Sequence, residues 1–172
     1  MLDTESPITI ILGTAHLKST PGKRSPDGAF REYKFSRNVC LDIQKTLTEL
    51  GYRCIIDYID DDMENSKKEL ENRCSIVNNI CKKYGSKNCL YVSIHNNAAG
   101  NGGEWKKAYG WSAWVYRNGS ENSRKLANCL FDACKKLGLK TRQESPNKRY
   151  YDCGFYVLKH TSCPAVLTEN FF

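Results

Sequence analysis

The chain has 172 residues, 40% hydrophobic and 26% charged, with 26 basic side chains against 19 acidic ones and a formal net charge of +7. That length suits one domain over residues 1–172 with a real core, and a mean hydropathy of -0.59 marks a soluble, globular chain rather than a disordered one. No apolar run approaches the roughly 20 residues that span a bilayer. The first seven residues lack the basic and apolar blocks of a signal peptide, and the basic charge comes with no nucleic-acid recognition motif.

The nine cysteines (40, 54, 74, 81, 89, 129, 134, 153 and 163) include no C-x-x-C pair, so neither a thiolate zinc site nor a redox motif is expected. Five of them, Cys40, Cys74, Cys81, Cys129 and Cys134, fall in helical patterns, where cysteine acts as a small hydrophobe. An odd count without a leader points to synthesis in a reducing cytosol.

In chain order, the β-branched run Ile8-Thr9-Ile10-Ile11-Leu12 reads as a first strand ending at Gly13. Thr14-Ala15-His16 opens the next loop, and the Gly/Pro/Ser-rich stretch from Ser19 to Gly28 reads as flexible punctuation. A helix is predicted over about Glu32 to Leu50, with Phe35, Val39, Ile43, Leu47 and Leu50 on one stripe and Gly51 as its stop. Tyr52 to Ile59 reads as a second strand. Asp60-Asp61-Asp62 lacks the spacing of a calcium loop and reads as a solvated turn.

A second helix follows over about Glu64 to Tyr84, with Leu70, Cys74, Val77, Cys81 and Tyr84 inward and Gly85 at its end. Leu90-Tyr91-Val92-Ser93-Ile94 has the apolar run of a strand buried on both faces, tipped by His95-Asn96-Asn97. From Gly100 to Gly110 the chain is loop-like; Trp105, Tyr109 and the following Trp111 suit either a sugar or peptide platform or packing beneath the loop. Ser112 to Tyr116 is a short strand, and a third helix turns Leu126, Leu130, Cys134 and Leu137 inward before Gly138. Thr141 to Asp152 reads as a basic surface loop, Phe155 to Leu158 as a strand, and Ala165 to Thr168 as the last strand, ending at Glu169. The order βαβαββαββ implies an α/β fold: a mostly parallel twisted sheet of about six strands with helices on both faces and no internal repeat.

Ligands and catalytic groups gather outside the carboxyl ends of strands in such sheets. His16, His95 and Glu169 stand at those ends, and Glu32 opens the helix after the first loop, on the same rim. Taken singly, each has a plain explanation. A histidine can cap a strand or sit in a loop, Glu169 can face solvent, and Glu32 at a helix N-terminus is worth about 0.3–1 kcal/mol through the helix dipole. Their joint placement has no such explanation. Two histidines and a carboxylate with an open fourth position form a catalytic zinc set, served by a further, non-ligating glutamate. His160 reads as a turn or surface histidine.

These residues also carry a resemblance. Ile11-Leu12-Gly13-Thr14-Ala15-His16, Arg31-Glu32, Ser93-Ile94-His95-Asn96-Asn97 and Pro164-Ala165-Val166-Leu167-Thr168-Glu169 occur in the order and separation of the zinc-dependent N-acetylmuramoyl-L-alanine amidases of the Amidase_3 type. The sequence resembles that family, found in bacterial autolysins and phage endolysins, over nearly its whole length. It departs from the family in having Thr14-Ala15 where a glycine-richer turn is usual. It also stops at Phe172, where members run on into a final helix, so a domain shortened at its C-terminus is expected.

The resemblance implies a phosphorylase/hydrolase-like fold and a Zn²⁺ ion held by His16, Glu32 and His95, with Glu169 as the catalytic base and acid. The implied reaction is hydrolysis of the amide between N-acetylmuramic acid and L-alanine in peptidoglycan. A zinc peptidase cutting within the stem peptide and a non-catalytic wall-binding module are the alternatives. The expected partners are muropeptides and, through the positive charge, anionic wall polymers, with neither nucleic acid nor membrane. A monomer is expected, made in the cytoplasm and acting on the wall as a phage lysin or released enzyme.

Overall fold

A computed structural model of the chain describes residues 8–58, 61, 65–99 and 103–171. The elements run Thr9–Thr14 (β1), Glu32–Glu49 (α1), Arg53–Ile56 (β2), Ser66–Tyr84 (α2), Cys89–His95 (β3), Ser112–Tyr116 (β4), Glu121–Lys136 (α3), Tyr151–Cys153 (β5), Tyr156–His160 (α4) and Ala165–Glu169 (β6). The strands form one sheet in the order β2-β1-β3-β6-β4-β5. Every pairing is parallel except that of β4 with β6, so the sheet is mostly parallel, as the alternation of strands and helices predicts.

Central strands of such a sheet are covered on both faces, and their side chains alternate between two cores. Ile11, Tyr91, Ala165 and Leu167 point to the face covered by α2 and α4, where they meet Cys74, Val77, Cys81, Val157 and Leu158. Leu12 and Ile94 point the other way, onto Cys40 of α1. Further along that second face, Ala113, Val115 and Val166 pack on Ala127 and Phe131 of α3. Asn65 caps α2 by accepting from the amides of Lys67 and Lys68, and Ser120 caps α3 by accepting from Ser123. None of the helices among the described residues is long and apolar enough to cross a membrane.

Several expectations are corrected. Phe155 to Leu158 is not a strand: Tyr156–His160 forms the one-turn-and-a-half helix α4, whose adjacent Val157 and Leu158 are both buried instead of alternating. The fifth strand, β5, begins at the end of the expected surface loop and runs one residue past it, and its three residues on the sheet edge are too few to show a period. Leu50 and Leu137 continue the apolar stripes in sequence, yet they are 67% and 78% exposed, because both occupy C-cap positions where the stripe leaves the sheet. Residues 19–28 carry hydrogen bonds of their own. The Ser25 hydroxyl accepts from the Phe30 amide and donates to Asp27, and the Glu32 amide donates to the Lys23 carbonyl.

Strand β2 ends at Ile56; Ile59, Asp60, Asp62 and Glu64 lie outside the described residues, as do Met1–Pro7 and Gly100–Gly102. Asp61 forms a two-pronged ion pair with Arg37 at 2.6 and 2.8 Å and accepts from the Lys18 amide. All nine cysteines are free thiols; the five expected within helical patterns lie in α1, α2 and α3, and of these Cys129 is exposed.

Candidate metal centre

The carboxyl edge of the sheet brings three elements together. At the end of β1 the chain turns sharply, and His16 adopts a left-handed φ of 51°. Glu32 lies in the first turn of α1, buried, where the positive end of the helix favours an anion. His95 ends β3. Its Nδ1 lies 3.2 Å from Glu32 Oε1, and His16 Nε2 lies 3.3 Å from the same oxygen. The two imidazole rings meet edge to face, with centroids 5.0 Å apart and planes at 87°. The Asn96 amide donates to Glu32 Oε1 as well, at 3.0 Å.

One donor atom from each of His16, Glu32 and His95 fits within a 4.8 Å span, and these three are the one His/Cys/Asp/Glu group among the described residues with that property. A tetrahedral zinc ion with bonds of about 2.0–2.2 Å places neighbouring donors about 3.3–3.6 Å apart. The two imidazole-to-carboxylate distances match that edge length, and two neutral imidazoles with one carboxylate are borderline donors suited to such an ion. The residues present fit the metal. The second ring nitrogen of His95 lies 3.1 Å from Ser93 Oγ, the kind of outer contact that fixes a ligand's ring orientation.

Electrostatics at the site are divided. Burial alone would raise the Glu32 carboxyl, but hydrogen bonding and charge from His16 and His95 outweigh it and hold the group well below the usual carboxylate range. Burial also pushes His95 down to about 4, which keeps its imidazole neutral and able to ligate. Glu169 behaves oppositely. It sits on β6 directly beside His95 in the parallel register. Burial, reinforced by the nearby Glu32 charge, pushes its carboxyl up to about 8, with Lys23 and Arg142 opposing in part. Its Oε2 is buried with no hydrogen-bond partner among the described residues.

The asparagines after His95 tie down its loop. The Asn170 amide and side chain both donate to the His95 carbonyl, at 2.7 and 3.0 Å, and Asn97 donates to the Phe171 carbonyl. Asn96 donates through its side chain to the Asn170 carbonyl, while its Oδ1 is buried with no hydrogen-bond partner among the described residues. Beside Glu32 opens a cavity of about 430 Å³, bordered by Asn96, Asn97, Lys23, Phe30 and Trp105. Trp105 and Tyr109 are 67% and 55% exposed, whereas Trp111 is buried in the core beside α3, so the aromatic loop divides between the two readings. His160 is exposed at the end of α4, its ring against Tyr156, apart from the other two histidines.

Three features of the site carry no local sequence signal: Ser36, the Asn170 contacts, and a buried network of Asp57, Glu69 and Arg73 beneath the His16 loop. Each joins positions far apart in the chain, and no local spacing signals them.

Fold and site together define an α/β protein with a candidate metal centre on the carboxyl edge of its sheet. Residues 10–172 match the N-acetylmuramoyl-L-alanine amidase family (Amidase_3), and the chain belongs to it. Its enzyme class is therefore that of the peptidoglycan amidases. Solved amidases share the fold. The N-acetylmuramoyl-L-alanine amidase of Clostridium difficile 630 superposes with a TM-score of 0.77 at 20% identity, over 98% of this chain and 81% of that one. Ami1 of Mycobacterium smegmatis gives 0.75 at 16% identity, over 95% and 82%. The CwlD amidase of Clostridioides difficile, solved in complex with the GerS lipoprotein, gives 0.71 at 23% identity, over 96% and 82%. No curated protein sequence matches the chain.

Proposed function

We propose that residues 1–172 are the catalytic domain of a zinc-dependent amidase that cuts between N-acetylmuramic acid and L-alanine, with His16, Glu32 and His95 as ligands and Glu169 as the proton carrier. The observation that carries this reading is the single Glu32 oxygen lying 3.3 Å from His16 Nε2 and 3.2 Å from His95 Nδ1. A zinc ion, when bound, supplies Lewis acidity that polarises an amide carbonyl and makes water more acidic.

The remaining work falls to side chains. A carboxyl pushed up to about 8 exchanges its proton near neutral pH, the condition for acting first as base and then as acid. Glu169 Oε2, buried and without a partner among the described residues, accepts the proton of the attacking water and returns it to the departing nitrogen of L-alanine. The cavity bordered by Asn96, Trp105 and Glu32 receives the muropeptide. In this reading the chain is a monomer made in a reducing cytosol, where nine thiols stay free, and meets the wall as a released autolysin or phage endolysin. Its charge of +7 draws it to anionic wall polymers.

Digestion of purified peptidoglycan with and without a chelator, followed by mass analysis of the soluble products, tests the reading. Peptides with a free L-alanine amino end are expected, lost on chelation and absent with Glu169→Ala. Cleavage inside the stem peptide would keep the metal set but replace the substrate. No release, even with zinc added, would leave a wall-binding module.

A further inference from the structure

Ser36 is fully buried on α1, one helical turn after Glu32. Its hydroxyl oxygen accepts from the Ala15 amide at 2.8 Å, and its proton goes to the Ile94 carbonyl at 2.7 Å. Ala15 immediately precedes His16, and Ile94 immediately precedes His95. One hydroxyl thus joins the loop carrying the first histidine, the strand carrying the second, and the helix carrying the carboxylate.

A serine hydroxyl has one proton to donate, and here it is committed to Ile94; one of its lone pairs is committed to Ala15. The arrangement matters most for His16, whose left-handed backbone is costly for a residue with a Cβ and persists only where its surroundings hold it. On one side the Ser36 bond fixes the preceding amide. On the other, Arg73 Nη2 reaches the His16 carbonyl at 3.4 Å. Without the hydroxyl, the Ala15 amide and the Ile94 carbonyl each lose this partner in a buried place. The backbone would then shift to find others, and the spacing of both imidazoles from Glu32 would shift with it.

We propose that Ser36 is a positioning residue for the metal centre, holding His16 and His95 at ligating distance from Glu32 through the backbone next to each. The proposal rests on the metal reading given above. Loss of an outer-shell partner of this kind typically weakens metal binding about 10–100-fold.

The test compares wild type with Ser36→Ala, Ser36→Cys and Ser123→Ala. Ser36→Cys keeps the shape of the side chain, with a somewhat larger atom in place of the oxygen, but offers only a weak donor and acceptor. Ser123 is the matched control: also buried, on α3, it accepts from the Ala165 amide at 3.0 Å, remote from the three ligands in the sheet. Zinc affinity is read by competition with a chromophoric chelator, ligand geometry by the visible spectrum of the cobalt-loaded protein, and folding by thermal melts in excess chelator. Both Ser36 variants are expected to bind zinc about 10–100-fold more weakly, with an altered cobalt spectrum, while Ser123→Ala loses stability but keeps its affinity. A folded Ser36→Cys protein with wild-type zinc affinity and cobalt spectrum overturns the proposal and leaves the metal reading intact. Failure of both Ser36 variants to fold also overturns it, by making Ser36 a core residue first. Wild-type protein that binds no zinc removes the metal reading itself.

Discussion

Glu169 carries a cost to the fold along with its proposed role. Burial and the Glu32 charge push its carboxyl from 4.5 up to about 8. Between those values the folded chain keeps a proton that the unfolded chain has released. Folding therefore loses stability as pH rises across that window, at up to about 1.4 kcal/mol per pH unit for one group. Glu169→Gln removes the titration. In the metal-free protein it is expected to raise stability at pH 7.5 by about 1–3 kcal/mol, with the gain nearly gone at pH 5, while abolishing hydrolysis. Melts in chelator at both pH values check this; a difference that does not change with pH sinks the electrostatic account. His16, Glu32, His95 and Glu169 were legible because each puts a polar residue where an apolar run or a helix boundary stops. Ser36 and Asn170 were not, since each acts on backbone dozens of residues away and neither breaks a local pattern.

Among the elements, α2 matters to the candidate site through one buried guanidinium. Arg73 is 2% exposed; its Nη1 lies 2.9 Å from Asp57 Oδ1 and its Nε and Nη2 lie 3.0 Å from Glu69 Oε1. Asp57 also accepts from the Thr14 amide and the Tyr91 hydroxyl, both at 2.8 Å, so the network braces the end of β1 just before His16. Space there is tight: a Cβ on Gly13 would lie 2.7 Å from Tyr91 Cζ, so only glycine fits beneath that phenol. Removing one partner of a buried ion pair costs about 3–5 kcal/mol, because a charge is left uncompensated. Arg73→Met strands two carboxylates and is expected to lower the urea midpoint by that much stability at pH 7.5. Burial already pushes the Asp57 carboxyl up, so at pH 5 it takes up a proton more easily once Arg73 is gone, and the deficit should shrink. A deficit of equal size at both pH values would mean lost packing instead. None of this was readable from the α2 pattern, in which Glu69 and Arg73 look like an ordinary solvated i, i+4 pair. The α4 stretch is ambiguous in sequence for a related reason: four apolar residues in a row fit a short buried strand or helix equally well, and the packing of Val157 and Leu158 on α2 decides between them.

At the scale of the whole molecule, the layering was legible because three of its physical causes are written locally: apolar strands without alternation, amphipathic helices between them, and glycines at the helix ends. The antiparallel placing of β4 against β6 was not, since register across a sheet depends on strands distant in the chain. Charge is the other global property, and it separates wall attachment from catalysis. Lysines such as Lys67, Lys82, Lys83, Lys135 and Lys136 lie exposed on α2 and α3, whereas the candidate centre's own contacts are short and largely buried. Exposed charges lose their reach as the screening length falls from about 10 Å at 0.1 M salt to about 3 Å at 1 M. Binding of the Glu169→Ala protein to intact cell walls is therefore expected to fall steeply over that range, and to fall in the same way when anionic polymers are stripped from the walls. Turnover of a small soluble muropeptide by the wild-type protein should change little, because its chemistry is confined to groups that salt hardly screens. Wall binding that survives 1 M salt would assign attachment to shape and hydrogen bonding at the cleft, and the net charge of +7 would then have no part in it.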